Sequence, residues 1–304
     1  MHAALPTVAA MAISRIALVT GANQGIGYAL VEELAARWAG DDLVLLTGRD
    51  PARVEQAAAR AAASATTVAR VEGRLLDVTD TGAVARMAAE IGERHGGIDV
   101  VISNATFRIT PDRTQREQAD DFIDVANGGT HAMLRSFGPL IRPGGRLIVV
   151  ASSLGTLGYL DARLQPLFEE ATLDEVESAV KSWHAAVHAG TAQDLGWPEW
   201  LNVPSKVAQV AAVRAVARER RETDLPDGTL IAAVCPGLVD TATSRPWFAD
   251  FSRARTPARA AVKVLDTVLA EPLDPATYGE LVRDGKVVPW HSGTPGDPYA
   301  TPAT

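Results

Sequence analysis

The sequence predicts an α/β fold: a doubly wound parallel sheet of about seven strands with helices on both faces. Three observations predict it. Short apolar runs alternate with amphipathic helical stretches along most of the chain. The first run breaks into a glycine-rich turn that opens directly into a helix. And 47% of the 304 residues are hydrophobic, enough to bury a sheet on both sides.

Taken in order, Ile16–Val19 reads as a buried strand, followed by Gly21, Gly25 and Gly27. Ile26, Leu30, Leu34 and Trp38 then recur every four residues and mark one apolar face of a helix over 26–39. Leu43–Thr47 is a second strand, and an alanine-rich helix runs to about Ala63. A third strand spans Val68–Leu76, a helix Asp80–Arg94, and a fourth strand Ile98–Ile102. One long helix is predicted over Gln115–Ile141, before a fifth strand at Arg146–Val150. The alternation then breaks. Residues 160–198 read as a helical insertion lying over the site, with Pro166–Ala189 polar and helix-favouring. Helix Ser205–Arg221, strand Thr229–Val234, helix Pro257–Leu269 and a last strand over Tyr278–Arg283 complete the pattern. No linker divides it, so residues 14–290 are expected to be one domain, between an N-terminal extension (1–13, with Met11 an equally good start) and a loose tail (291–304).

Composition narrows the function. A formal charge of −8 argues against a nucleic-acid partner, and no apolar run is long enough to span a membrane. The single cysteine, Cys235, excludes an internal disulfide and points to a reducing cytoplasm. Strand, glycine turn and helix together place bare backbone N–H groups and a helix N-terminus against a phosphate. In that geometry Gly21 allows the tight turn, Gly25 lets the backbone approach a pyrophosphate, and Gly27 lets helix and strand pack closely.

Further motifs follow in order: Thr20-Gly-Ala-Asn23-Gln24-Gly-Ile26-Gly27, Asp77-Val78, Asn104-Ala105, Asn127-Gly-Gly-Thr130, Ser152-Ser153, Gly196-Trp-Pro198 and Cys235-Pro236-Gly237-Leu-Val239-Asp-Thr241. Together they resemble the short-chain dehydrogenase/reductase family, and within it the carbonyl-reductase-like branch, over residues 14–290. The resemblance implies a Rossmann-type fold, a bound dinucleotide and a small-molecule substrate. It assigns adenine contact to Asp77 and Val78, and closure over nicotinamide to Pro236, Gly237, Val239 and Thr241. Thr106 stands where the family has a glycine after Asn104-Ala105. In this branch the insertion covers a helix face that other members use to associate, which implies a monomer. At the end of the second strand an acid would favour NAD, whereas Arg49 here favours NADP(H) through charge-assisted contacts to a 2′-phosphate. The alternative is that Arg49 is a solvated turn residue, with Asp50 diluting its field.

Hydride transfer to a carbonyl needs a proton and stabilisation of developing negative charge. The family supplies these with a serine, a tyrosine, a lysine one helical turn beyond it, and a helix asparagine. Ser153, Lys206 and Asn127 match the first, third and fourth. The tyrosine is replaced by Asn202, four residues before Lys206. An amide donates a hydrogen bond but cannot deliver a proton near neutral pH. Asn202 either orients a substrate carbonyl or a water, or caps a helix whose first turn holds Pro204. Tyr159 borders the pocket as another proton source or as an aromatic wall. His184 and His188 have a spacing that can hold a metal, but no third ligand is evident, so they read as a solvated lid face and no metal site is assigned. The leading function is NADPH-dependent reduction of a ketone or aldehyde, polycyclic or from a natural-product pathway, with an atypical proton donor. The alternatives are a cyclase, isomerase or dehydratase on the same scaffold, and a non-catalytic NADP(H)-binding sensor.

Overall fold

The opening apolar run forms β1 (Ile16–Val19), with every residue buried. The computed structural model describes residues 14–294, so the expected N-terminal extension and most of the tail lie outside the described residues. A glycine turn leads into α1 (Gly25–Arg37), then β2 (Leu43–Gly48), α2 (Pro51–Ala62), β3 (Arg70–Leu75), α3 (Thr81–His95) and β4 (Ile98–Ser103). After α4 (Gln115–Ile123) and α5 (Gly129–Phe137) comes β5 (Ile141–Val150). The insertion contributes α6 (Leu173–Ala189), followed by α7 (Asn202–Asp224), β6 (Leu230–Val234), α8 (Pro257–Val268), β7 (Leu281–Arg283) and β8 (Lys286–Val288).

The sheet runs β3-β2-β1-β4-β5-β6-β7-β8, and every neighbouring pair is parallel except β7 with β8. The strand order reverses between β1 and β4, which places the binding crevice at their carboxyl ends. Helices α1, α2 and α8 share one face, while α3, α5 and α7 pack in sequence on the other. β1 and β2 are wholly buried, as their continuous apolar runs require between two helical layers. β3 is an edge strand, and its charged Arg70, Glu72 and Arg74 discourage further pairing. Among the described residues no helix is long and apolar enough to cross a membrane.

Four elements differ from expectation. The long helix predicted over 115–141 is broken by a π-helical turn, Asp124–Gly128, between α4 and α5, and ends in a 3-10 turn at Gly138–Leu140. β5 starts at Ile141, because Arg142–Gly145 bulge out where the register to β4 slips between Ile98 and Val100. The last strand, expected from Tyr278, begins only at Leu281, and Tyr278 instead closes a 3-10 turn. β8, and with it the eighth strand, was signalled by Arg283-Asp-Gly-Lys286: Asp284 (φ 51°) and Gly285 (φ 76°) form the left-handed pair of a tight hairpin.

The insertion is built around α6. A reciprocal cap joins Thr172 and Glu175 at its start, and Gly190 closes its end in the left-handed conformation. Its apolar face packs on α4 and α7. Trp183, Trp197 and Phe168 form an aromatic cluster with ring centroids 6.1 and 6.2 Å apart, so Trp197 is core rather than pocket.

Candidate active site

At the end of β1 the chain needs a left-handed residue, and Gly21 (φ 60°) supplies it. A side chain there would meet Ala105 Cα at 2.7 Å, and one on Gly27 would meet Asn104 Nδ2 at 2.5 Å and Gly21 O at 2.6 Å. Both glycines are therefore forced by the close approach of the β4 end to the turn. Thr20 ties the two: its hydroxyl accepts from the N–H groups of Asn104 (2.9 Å) and Ala105 (3.0 Å). Asn104 Nδ2 donates to Thr20 O at 3.0 Å. Thr106 takes the place of a glycine without strain, since it is not among the residues of positive φ.

Gly25 differs. It is also left-handed (φ 59°), but only Thr241 Cγ2, at 4.0 Å, stands near the position of its missing side chain. The 235–241 segment thus faces the glycine turn across a narrow cleft. At its foot Gln24 provides no side-chain cap to α1, and no acidic residue occupies the first turn. The first N–H groups of α1, at Gly25, Ile26 and Gly27, consequently lack a side-chain partner from their own cap. That arrangement fits the pyrophosphate of a dinucleotide.

Arg49, at the end of β2, is exposed and makes no ion pair with any described residue. The Asp50 carboxylate accepts from Arg53 N (3.1 Å) as the cap of α2 and pairs with Arg53 Nε at 3.6 Å. Asn23 lies beside Gly48, its Oδ1 3.6 Å from where a side chain on that glycine would begin. Asp77 closes a turn by accepting from Thr79 N (3.0 Å) and Thr79 Oγ1 (2.8 Å). Val78 is buried hard against Gly129, within 2.6 Å of the position of its missing Cβ. Across the cleft Arg255 fastens the 235–241 segment, donating to Pro236 O (3.0 Å) and pairing with Asp284 (2.8 Å), and Val239 is buried. Gly237 is left-handed (φ 78°).

Lys206 lies in a buried hydrogen-bond network. Nζ donates to Gln209 Oε1 at 2.7 Å and to Val150 O at 3.4 Å, leaving one of its three N–H groups uncommitted. Burial pushes the ammonium down to about 8, against a small opposing pull from the neighbouring Cys235 sulfur. Gln209 in turn donates to Ala126 O (2.7 Å) and Thr130 Oγ1 (2.9 Å), which anchors α7 to the π-helical turn. That turn carries Asn127, whose Nδ2 donates to Ser205 O at 3.0 Å. Asn127 Oδ1 and Ser205 Oγ are buried without a partner, so the network is incomplete as it stands. Ser153 donates its N–H to Cys235 Sγ (3.2 Å), and its hydroxyl makes no hydrogen bond among the described residues.

Asn202 is not the cap of α7. The cap position belongs to Leu201, in helical conformation and without a side-chain bond, and Asn202 is the first residue of the helix. Its half-buried amide makes no hydrogen bond among the described residues. Pro204 is tolerated because the first-turn N–H groups have no helical partner anyway. Tyr159 ends a 3-10 turn and packs against Gly293, which, with Ser292, is held by Thr156 Oγ1 donating to Ser292 O at 2.6 Å. The start of the expected loose tail is therefore fixed, and Tyr159 is part of the wall that fixes it.

A model of the family described as short chain dehydrogenase matches residues 15–162. Carbonyl reductase [NADPH] 1 of Mus musculus is 30% identical over 285 residues, covering 90% of this chain and 98% of its own. The enzyme of the same name from Sus scrofa is 30% identical over 292 residues, covering 94% and 97%. The chain belongs to the short-chain dehydrogenase family. Its fold is shared with salutaridine reductase from Papaver somniferum (TM-score 0.75, 21% identity, 88% of this chain and 99% of that one). Menthone neomenthol reductase from Mentha piperita is a second such structure (TM-score 0.71, 21% identity, 90% and 100%).

Lys206 and Asn127 both lie where α7 meets the π-helical turn, Ser153 bonds to Cys235 rather than to either of them, and Asn202 stands one helical turn before Lys206. Sequence reasoning missed Gln209 and Thr20, whose roles appear only through long-range hydrogen bonds. It also missed the third group beside His184 and His188: Asp120, on α4, whose Oδ1 lies 2.6 and 2.5 Å from their Nε2 atoms. No local spacing could reveal a partner 64 residues upstream. His131, on α5, is buried with no hydrogen bond at Nε2 among the described residues and with Nδ1 4.0 Å from Glu177 of α6.

Proposed function

We propose that the protein is an NADPH-dependent reductase of a ketone or aldehyde in which Lys206, rather than a tyrosine, gives the proton. The observation that carries this reading is Lys206 itself: buried, held by Gln209 and Val150, and left with one uncommitted N–H beside the Ser153 turn. When bound, NADPH supplies the hydride.

Each residue then has a stated task. The uncapped N-terminus of α1 and the left-handed Gly25 hold the pyrophosphate, and the unpaired Arg49 selects the 2′-phosphate. Asp77-Val78 and Asn104-Ala105 line the adenine and ribose side, and Pro236–Thr241 close over the nicotinamide end. The free Ser153 hydroxyl and the unbonded Asn202 amide donate hydrogen bonds to the substrate oxygen as it gains charge. With its ammonium near 8, Lys206 is largely protonated at neutral pH yet acidic enough to release the proton through a hydroxyl or water between them. Trp200 and Trp247 pack in a tilted pair with centroids 5.6 Å apart, and Trp247 Nε1 donates to Ile109 O at 3.2 Å. An aromatic pair of this kind suits a carbonyl carried on an apolar ring frame. Coverage of α4 and α7 by α6 supports a monomer.

The replaced tyrosine favours one competing reading, cyclase, isomerase or dehydratase chemistry with no net redox change. Incubation with quinones, polycyclic ketones and simple aldehydes, monitored by loss of NADPH absorbance, separates the two. Reduction predicts substrate-dependent consumption, one NADPH per alcohol formed. Product formed without consumption overturns the proposal.

A further inference from the structure

We propose that Asp120, His184 and His188 form a site for a divalent transition-metal ion of the zinc type, which clamps the insertion helix α6 to α4. The site lies outside the machinery described above and does not depend on the reaction assigned to it.

The two histidines stand one turn apart on α6, with rings 4.8 Å between centroids. Their Nε2 atoms are 3.2 Å from each other. Both converge on a single oxygen, Oδ1 of Asp120, at 2.6 and 2.5 Å. Bonds of about 2.0–2.1 Å in a tetrahedral site place neighbouring ligand atoms about 3.3 Å apart. The nitrogen pair is already at that separation. The carboxylate oxygen needs to retreat by about 0.7 Å to meet the same geometry. Asp120 is on an exposed side chain that is free to do so.

Without an ion, one oxygen must accept from two imidazoles whose nitrogens crowd each other. An ion gives the three lone pairs a common partner. Position helps as well: His188 lies in the last turn of α6, where the helix dipole is negative and favours a cation. Two imidazoles and one carboxylate suit zinc, cobalt or nickel, whereas magnesium and calcium take oxygen ligands. Three protein ligands leave a fourth position for water. The mechanical consequence is local, because α4 runs directly into the π-helical turn that holds Asn127.

The test uses the untagged full chain, dialysed against Zn²⁺ and analysed for metal content, with a chelator-competition titration for affinity. One ion per chain and a rise in Tm with Zn²⁺ but not with Mg²⁺ are expected. Even outer partners of metal ligands are worth about 10–100-fold in affinity, so His184→Gln and His188→Gln should each weaken binding by about a hundredfold or more. Asp120→Asn should weaken it in the same direction. Far-ultraviolet circular dichroism of these surface variants should match the parent, which separates lost binding from lost folding. No Zn²⁺ retained by the parent beyond the His184→Gln/His188→Gln double variant, or undiminished binding in that variant, overturns the proposal.

Discussion

Replacing Asn202 by tyrosine restores a phenol one helical turn before Lys206. The present amide makes no hydrogen bond among the described residues and does not cap α7, so its removal costs the fold little. Side chains at this spacing on a helix begin about 5–6 Å apart, which brings a phenol oxygen within reach of the uncommitted N–H of Nζ. A unit charge about 4 Å away at an effective dielectric constant of about 20 is worth about 4 kcal/mol. That is about three pKa units, enough to move a phenol from about 10 to about 7. A positioned general acid matched to working pH contributes about 10²–10⁴-fold. Steady-state kinetics of Asn202→Tyr on simple carbonyls should therefore show a gain in kcat/KM of about a hundredfold or more. The gain should vanish in Asn202→Tyr/Lys206→Met. If the variant binds NADPH as tightly as the parent and gains nothing, the rest of the site is not a carbonyl-reducing site, and the argument from Lys206 and Ser153 fails.

Three further outcomes follow from the geometry. Arg49→Ala should weaken NADPH by about 10–100-fold in a fluorescence titration while leaving NADH almost unchanged, because only the 2′-phosphate loses a charged partner. Gln209→Met removes the acceptor that favours the Lys206 ammonium, so the alkaline limb of the pH–rate profile should move down by about one to two units; Gln209→Glu should move it up. His131 is held at about 4 by burial, with Arg135 and Lys181 adding to the effect. Between about 6.5 and 4 the unfolded chain binds a proton that the native chain refuses, so stability falls as pH drops through this window, by about 3 kcal/mol in full. Urea titrations of His131→Phe against the parent should show that slope flattened.

What could be read from the sequence was what is local. The left-handed backbone of Gly21 and Gly25 is a local requirement of the turn, and the apolar runs of β1 and β2 announce strands buried on both faces. The tight hairpin after β7 was equally local, in Asp284-Gly285, and went unread. The π-helical turn at Asp124–Gly128 was not legible, because the groups it bonds to lie on α7, about 80 residues downstream. Its purpose appears only once Gln209 is seen bonded to Ala126 and Thr130 from another helix. The site shows the same division. Lys206, Ser153 and Asn127 could be placed by motif, but the fate of Asn202 depended on where α7 begins. That start is set by packing around Leu201, Val203 and Pro204 and by Gln115 of α4, whose Oε1 accepts from Leu201 N at 3.0 Å. Asp120 joins His184 and His188 only because the insertion folds back on α4.

The central claim is that the cofactor's hydride ends on the carbonyl carbon of a substrate. The most direct measurement is turnover with NADPH deuterated at the transferable position, followed by mass spectrometry of the product. One deuterium on the new carbinol carbon, with one NADPH consumed per alcohol, is the predicted result. Product formed with no deuterium would contradict it.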